Sequence, residues 1–153
     1  MTSISFKGGG KLKAKLQEIA SQTGNAKSLK VGFMADADYP DGTKVAMVAA
    51  IQNFGAPAAG IPPRPFFSNM VKAKSPRWGE SLGNMLERTD FDGEKALNLM
   101  GEGIKGQLQR SINETNEPAL SPVTVAKKGF TKPLIDTANM IRAVSYIVEG
   151  DTE

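Results

Sequence analysis

The sequence predicts an α+β domain in which a small, mainly antiparallel sheet is flanked by helices, with a long central helix and two extended loops. Three observations lead there. Residues 29–33 and 144–148 alternate with the two-residue period of half-buried strands, carrying Leu29, Val31 and Phe33 in one and Val144, Tyr146 and Val148 in the other. Other stretches repeat apolar residues every three or four positions, and the longest carries Leu97, Met100, Ile104, Leu108 and Ile112. Two proline-bearing connections, 56–65 and 117–132, show no sustained period.

In chain order, Gly8, Gly9 and Gly10 precede an amphipathic first helix over 11–22, where Leu12, Leu16 and Ile19 share a face between lysines. Gly24 and Asn25 break it, and the first strand follows. Tyr39-Pro40-Asp41-Gly42 is a turn, because proline presets one dihedral and glycine accepts positive φ. Thr43 is placed to cap a second helix running to about Asn53, with Val45, Val48, Ala49 and Ile51 as its apolar face and Gly55 as its end. From Ala56 to Pro65, four prolines and Gly60 exclude regular helix and central strand.

Ser75 and Pro76 then open a helix bearing Trp78, Leu82, Met85 and Leu86. Asp92 caps the longest helix, 93 to about 113, in which Gly101, Gly103 and Gly106 each cost roughly 1 kcal/mol relative to alanine. Those glycines mark either a close approach to another element, such as the sheet, or local fraying. Segment 117–132 is a long connection with room for one helical turn at Ser121 and Pro122; a hairpin within 121–131 would instead add strands to the sheet. Asp136 caps a short helix ahead of the closing strand. No internal repeat or second domain interrupts residues 1–153, a length that one core serves.

Composition narrows the chemistry. Apolar residues make up 40% of the chain and charged ones 23%, enough to drive folding. Neither cysteine nor histidine occurs, which removes disulfides, thiolate chemistry, the commonest metal ligand and the usual general base near neutral pH. The chain is therefore expected not to be an enzyme and to need no cofactor. Net charge is +3, with 19 basic and 16 acidic residues scattered along the chain, so any pull toward nucleic acid or membrane is mild. No apolar run approaches the roughly 18 residues of a membrane span, and the first ten residues lack a signal-peptide core. Synthesis and assembly in the cytoplasm are expected.

Short motifs read mostly as structure. Gly8-Gly9-Gly10-Lys11 lacks the spacing of a phosphate loop. Asp36, Asp38, Asp41 and Gly42 resemble a calcium loop, but Pro40 stands at the third ligand position and Met47 where a bidentate glutamate belongs. Asp90, Asp92 and Glu94 suit the start of a helix on dipole grounds, with a Mg²⁺ site as the rival reading. Arg64, Lys72, Lys74, Arg77 and Trp78 interleave cations with an aromatic as single-strand binders do, but the modest charge favours solvated helix faces and protein contacts over a nucleic-acid groove.

Two segments resemble a known family. The first combines Tyr39-Pro40-Asp41-Gly42-Thr43, Val45-Ala46, Ile51-Gln52-Asn53-Phe54-Gly55 and Ile61-Pro62-Pro63-Arg64-Pro65-Phe66-Phe67; the second is Pro133-Leu134-Ile135-Asp136-Thr137 ahead of the final strand. In order and spacing they are similar to the tail-component and tail-completion proteins of long-tailed bacteriophages, whose more distant relatives include lambda minor tail protein Z and the Mu and P2 virion-morphogenesis proteins. Ala138 departs from the pattern, since relatives usually carry glycine there. The resemblance implies a structural virion protein of the neck or tail, assembled in the bacterial host cytoplasm. It also implies a homo-oligomeric ring of six or twelve copies that completes the tail and joins it to the head, against connector, stopper, terminator or tube proteins.

A ring subunit needs two different faces that fit one another. The 61–67 loop suits one: prolines lower the entropy lost on docking, Arg64 offers a bidentate ion pair, and Phe66 and Phe67 offer anchors. Phe54, Gly55, Ile61, Pro62, Pro63, Arg64, Pro65, Phe66, Phe67, Pro133 and Asp136 are the candidate interface residues, with the competing reading that Phe66 and Phe67 are core and Arg64 a local cap. Lys127, Lys128 and Lys132 face an acidic partner, DNA passing along the channel, or solvent. Replacing Arg64 with alanine is expected to leave a folded protein that joins particles poorly. The rival function is a nucleic-acid-binding module contacting DNA in the neck channel.

Overall fold

In the computed structural model, which describes residues 9–26, 28–115, 126 and 138–150, the chain runs α1 (Gly9–Thr23), β1 (Ser28–Phe33), α2 (Val45–Phe54), α3 (Phe66–Lys74), α4 (Trp78–Arg88), α5 (Gly93–Glu114), α6 (Asn139–Ala143) and β2 (Val144–Glu149). Single 3₁₀ turns occupy Pro57–Ala59 and Ser75–Arg77. The fold is α+β, a small antiparallel sheet with helices packed around it.

β1 and β2 pair antiparallel, setting Leu29 opposite Val148, Val31 opposite Tyr146 and Phe33 opposite Val144. Both apolar alternations therefore fall on one face of the sheet, and that face lies on α5. On the other face Lys30 Nζ sits 2.7 Å from Glu149 Oε1, and Ser28 Oγ donates to the same carboxylate at 3.0 Å. These contacts hold Glu149 below its ordinary carboxylate range, the Lys30 bond first and the Ser28 bond second.

α5, at 22 residues the longest element, is the spine. Its Ala96, Met100, Ile104, Leu108 and Ile112 recur every fourth position and are all buried, which places one continuous stripe against the rest of the core. Val45 and Ala49 of α2, Phe66 and Met70 of α3, Met140 of α6 and Val144 of β2 complete that core. Burial of each large side chain contributes roughly 1.5–3 kcal/mol before entropy is counted. At Gly101 the helix backbone meets the ring of Tyr146 on β2: a Cβ there would lie 2.3 Å from its Cδ2. Gly103 and Gly106 are different, with nothing within 4 Å of an added Cβ, and α5 is helical through both.

Asp92 caps α5 as its position suggests, its Oδ1 accepting from the Lys95 amide at 3.1 Å. Asn25 links the same corner to the end of α1, donating to Asp92 at 3.3 Å and accepting from the Glu94 amide at 2.9 Å. The Lys95 amide and the Asn25 side chain together keep Asp92 ionised below its usual range. Between α4 and α5 the chain turns through Asp90 and Phe91, at φ 52° and 63°, and the Phe91 amide closes α4 on the Leu86 carbonyl at 2.7 Å.

Three expectations need correction. Thr43 does not cap α2; Lys44 holds that position without a side-chain bond, and the Thr43 amide is bound to Asp41 Oδ1 at 2.9 Å. Backbone bonds from Tyr39 to Thr43 and from Val45 to Ala37 instead close 37–45 into a small hairpin around the turn. Ser75 and Pro76 do not begin a helix, because α3 already precedes them; Pro76 lacks the N–H that would continue the ladder, so the chain tightens into one 3₁₀ turn and resumes as α4. Finally, α1 takes in Gly9 and Gly10 and buries none of its residues. The expected loop or hairpin at 117–132 and the Asp136 cap lie outside the described residues. No helix among the described residues is long and apolar enough to cross a membrane.

Candidate subunit interface

The residues of the first sequence motif fold onto one another. At the end of α2, Gly55 takes φ 76°, and a Cβ there would come within 2.8 Å of the Pro63 nitrogen and 2.9 Å of the Ile61 carbonyl; only glycine fits. Ala56 and Ile61 exchange backbone hydrogen bonds at 2.9 and 3.1 Å, closing the loop between them. The chain returns along α2, where the Arg64 amide satisfies the otherwise orphaned carbonyl of Gln52 at 2.7 Å. Arg64 Nη1 then donates to Gln52 Oε1 at 3.1 Å.

Asn53 is the pivot. Only 4% exposed, its Oδ1 accepts from the amides of Phe67 and Ser68 at 3.0 and 3.1 Å, while its Nδ2 donates to Ser68 Oγ at 2.9 Å. Those amides belong to the first turn of α3, whose own N-cap, Pro65, makes no side-chain cap bond. A residue 14 and 15 positions upstream of those amides thus performs the capping that a serine or aspartate normally performs locally. Ser111 Oγ adds a bond to the Phe66 carbonyl at 2.7 Å, tying the start of α3 to α5.

This arrangement divides the candidate interface residues. Phe66 is 1% exposed and packs edge-on against Phe33, ring centroids 6.3 Å apart; it is core. Arg64 is 5% exposed, its guanidinium turned into the clamp, where burial lowers its proton affinity. Neither is an outward anchor, because a buried guanidinium must be satisfied from within. Pro62 and Pro63 are exposed, Gly55, Ile61, Pro65 and Phe67 half-buried, and Phe54 is 75% exposed. Lys127, Lys128, Lys132, Pro133 and Asp136 lie outside the described residues.

What faces outward is apolar. Met47 and Phe54 of α2 are among the most exposed large hydrophobic residues, at 54% and 75%. Between them α2 borders a groove of about 220 Å³ lined by Phe33, Ala46, Ala50, Phe54 and Phe67. A second apolar recess of about 380 Å³ lies between β1 and the helices, lined in part by Leu29, Val31, Trp78 and Leu82. Trp78, half-buried there, donates from Nε1 to Gln107 at 3.0 Å, so it is held by α5 rather than presented as a stacking platform. Among the described residues, no group of three or more histidine, cysteine, aspartate or glutamate side chains is placed to hold a metal ion.

Compared with protein-family models, curated proteins and solved structures, the chain has no match.

Proposed function

We propose that this chain is a structural protein of a long-tailed phage virion, one subunit of a ring at the head-proximal end of the tail that completes the tail and joins it to the head. One observation carries the reading: the residues through which the sequence resembles tail-completion proteins, Gln52, Asn53, Gly55, Pro63 and Arg64, are those that interlock at the α2–α3 corner. A motif of that kind describes a shaped corner rather than a reaction centre. Ala138 adds support, since it takes φ 61° where the resembled proteins usually carry glycine, the residue that adopts this backbone most easily.

In this reading the protein acts by fit. Apolar surface on α2 beside a rigid, proline-bounded loop is suited to burial against a neighbouring subunit, and the subunit turns over no substrate. Its place is the virion, after assembly in the host cytoplasm, with neck and tail proteins as partners and DNA in passing through the channel. Removing the gene from the phage that carries it should give filled heads and separate tails, and purified wild-type particles should contain the polypeptide in multiple copies. Normal particles without it would end the reading.

A further inference from the structure

α1 is an amphipathic helix whose apolar face packs against nothing among the described residues except at its last turns. Its last turn is tied to the start of α5, where Thr23 Oγ1 reaches the Phe91 carbonyl at 3.1 Å. Yet none of its 15 residues is buried, and Leu12 and Leu16, one turn apart, are 62% and 57% exposed. A helix of this length is marginal in water unless its apolar face is covered.

The same chain carries an uncovered stripe of the same length. Met47, Ala50 and Phe54 lie along one side of α2, all exposed, and Ala50 and Phe54 border the groove, so 12–19 and 47–54 each offer roughly 10 Å of apolar helix. Their surroundings are opposite in charge. α1 holds Lys11, Lys13 and Lys15 against Glu18, a balance of 3 − 1 = +2, while the hairpin leading into α2 holds Asp36, Asp38 and Asp41 against Lys44, a balance of 1 − 3 = −2. Lys15 pairs with Glu18 and Lys44 with Asp38, and among the described residues no further ion pair takes up the surplus charge on either surface.

We infer that α1 of one copy lies across α2 and its groove on the next copy. The inference rests on the ring reading and names the contact that builds it. Because the two surfaces sit on different parts of the chain, the contact is heterologous: each copy gives one helix and receives another, and the series closes when the rotation divides a full turn. Lysines on the incoming helix meet the aspartates beside α2, which sets its direction as well as its place.

The test uses two variants of the full chain, Leu12→Gln/Leu16→Gln and Met47→Gln/Phe54→Gln, whose folding is checked by circular dichroism. By sedimentation velocity the wild type should form concentration-dependent assemblies, and each variant alone should associate about 100-fold more weakly, from the lost apolar burial. An equimolar mixture should form dimers and stop there, since only one intact pair of surfaces remains. A wild type that stays monomeric throughout, a variant that assembles like wild type, or a mixture that stays monomeric overturns the contact. Assembly that survives in both variants, with the protein still present in purified particles, would refute this contact and leave the ring itself standing.

Discussion

At Ala138 the backbone holds φ 61°, a left-handed conformation that costs an L side chain roughly 1 kcal/mol and glycine almost nothing. Ala138→Gly should therefore raise the stability of the fold by about 1 kcal/mol, read as a higher urea midpoint at unchanged slope; an unchanged or lower midpoint would mean that the strain is relieved in some other way. Arg64 teaches the opposite lesson. Its type and its proline-rich setting suggested an exposed clamp, but burial against Gln52 makes it part of the scaffold. Arg64→Ala should cost about 1–3 kcal/mol of folding stability, because the Gln52 side chain loses its donor inside the clamp; thermal unfolding that matches wild type would show the guanidinium to be dispensable. Asn53 was not legible as a site residue. Asparagine near the end of an apolar helix gives no sign, from spacing alone, of a cap supplied to another helix further along the chain. The Gly55 stop was legible, since glycine is the usual residue just past a helix end, and its φ of 76° is one that glycine adopts freely.

Among elements, period did most of the work and failed where period carries no information. Three- and four-residue spacing from Leu97 to Ile112 foretold α5, and two-residue alternation foretold β1 and β2, but neither says which strand pairs with which. α3 was not legible as a helix of its own, because Pro76 inside 66–88 looks like a beginning when it is a joint. The glycines of α5 were more legible than they first looked. Gly101 stands four after Leu97, three before Ile104 and seven before Leu108, on the buried face, whereas Gly103 and Gly106 share their side with exposed Glu102 and Arg110. Gly103→Ala and Gly106→Ala should each stabilise by roughly 0.5–1 kcal/mol through helix propensity. Gly101→Ala should instead destabilise by about 1–3 kcal/mol as Tyr146 is forced aside. Denaturant titration of the three single variants checks the division, and a stabilising Gly101→Ala would contradict the close approach of helix and strand.

For the molecule as a whole, two carboxylates, one half-buried and one exposed, hold together parts of the chain that are far apart in sequence. Asp92 joins the end of α1 to the start of α5 through Asn25, and Glu149 ties β2 across to Lys30 and Ser28 of β1. Both are held below the ordinary range of their carboxyl groups by these hydrogen bonds. A group whose folded-state value is depressed contributes stability above its unfolded value and loses it as pH falls through the folded one. Stability should thus be level near neutrality and decline as the pH drops from about 5 to about 3. Asp92→Asn separates charge from capping, because asparagine caps a helix about as well as aspartate but does not titrate. Combined with Glu149→Gln, it should flatten the acid limb of urea midpoint against pH while leaving the spectrum of the folded protein unchanged. An acid limb as steep as that of wild type would move the pH sensitivity to other carboxylates and leave these two contacts without a measurable share in joining α1 and the sheet to the core.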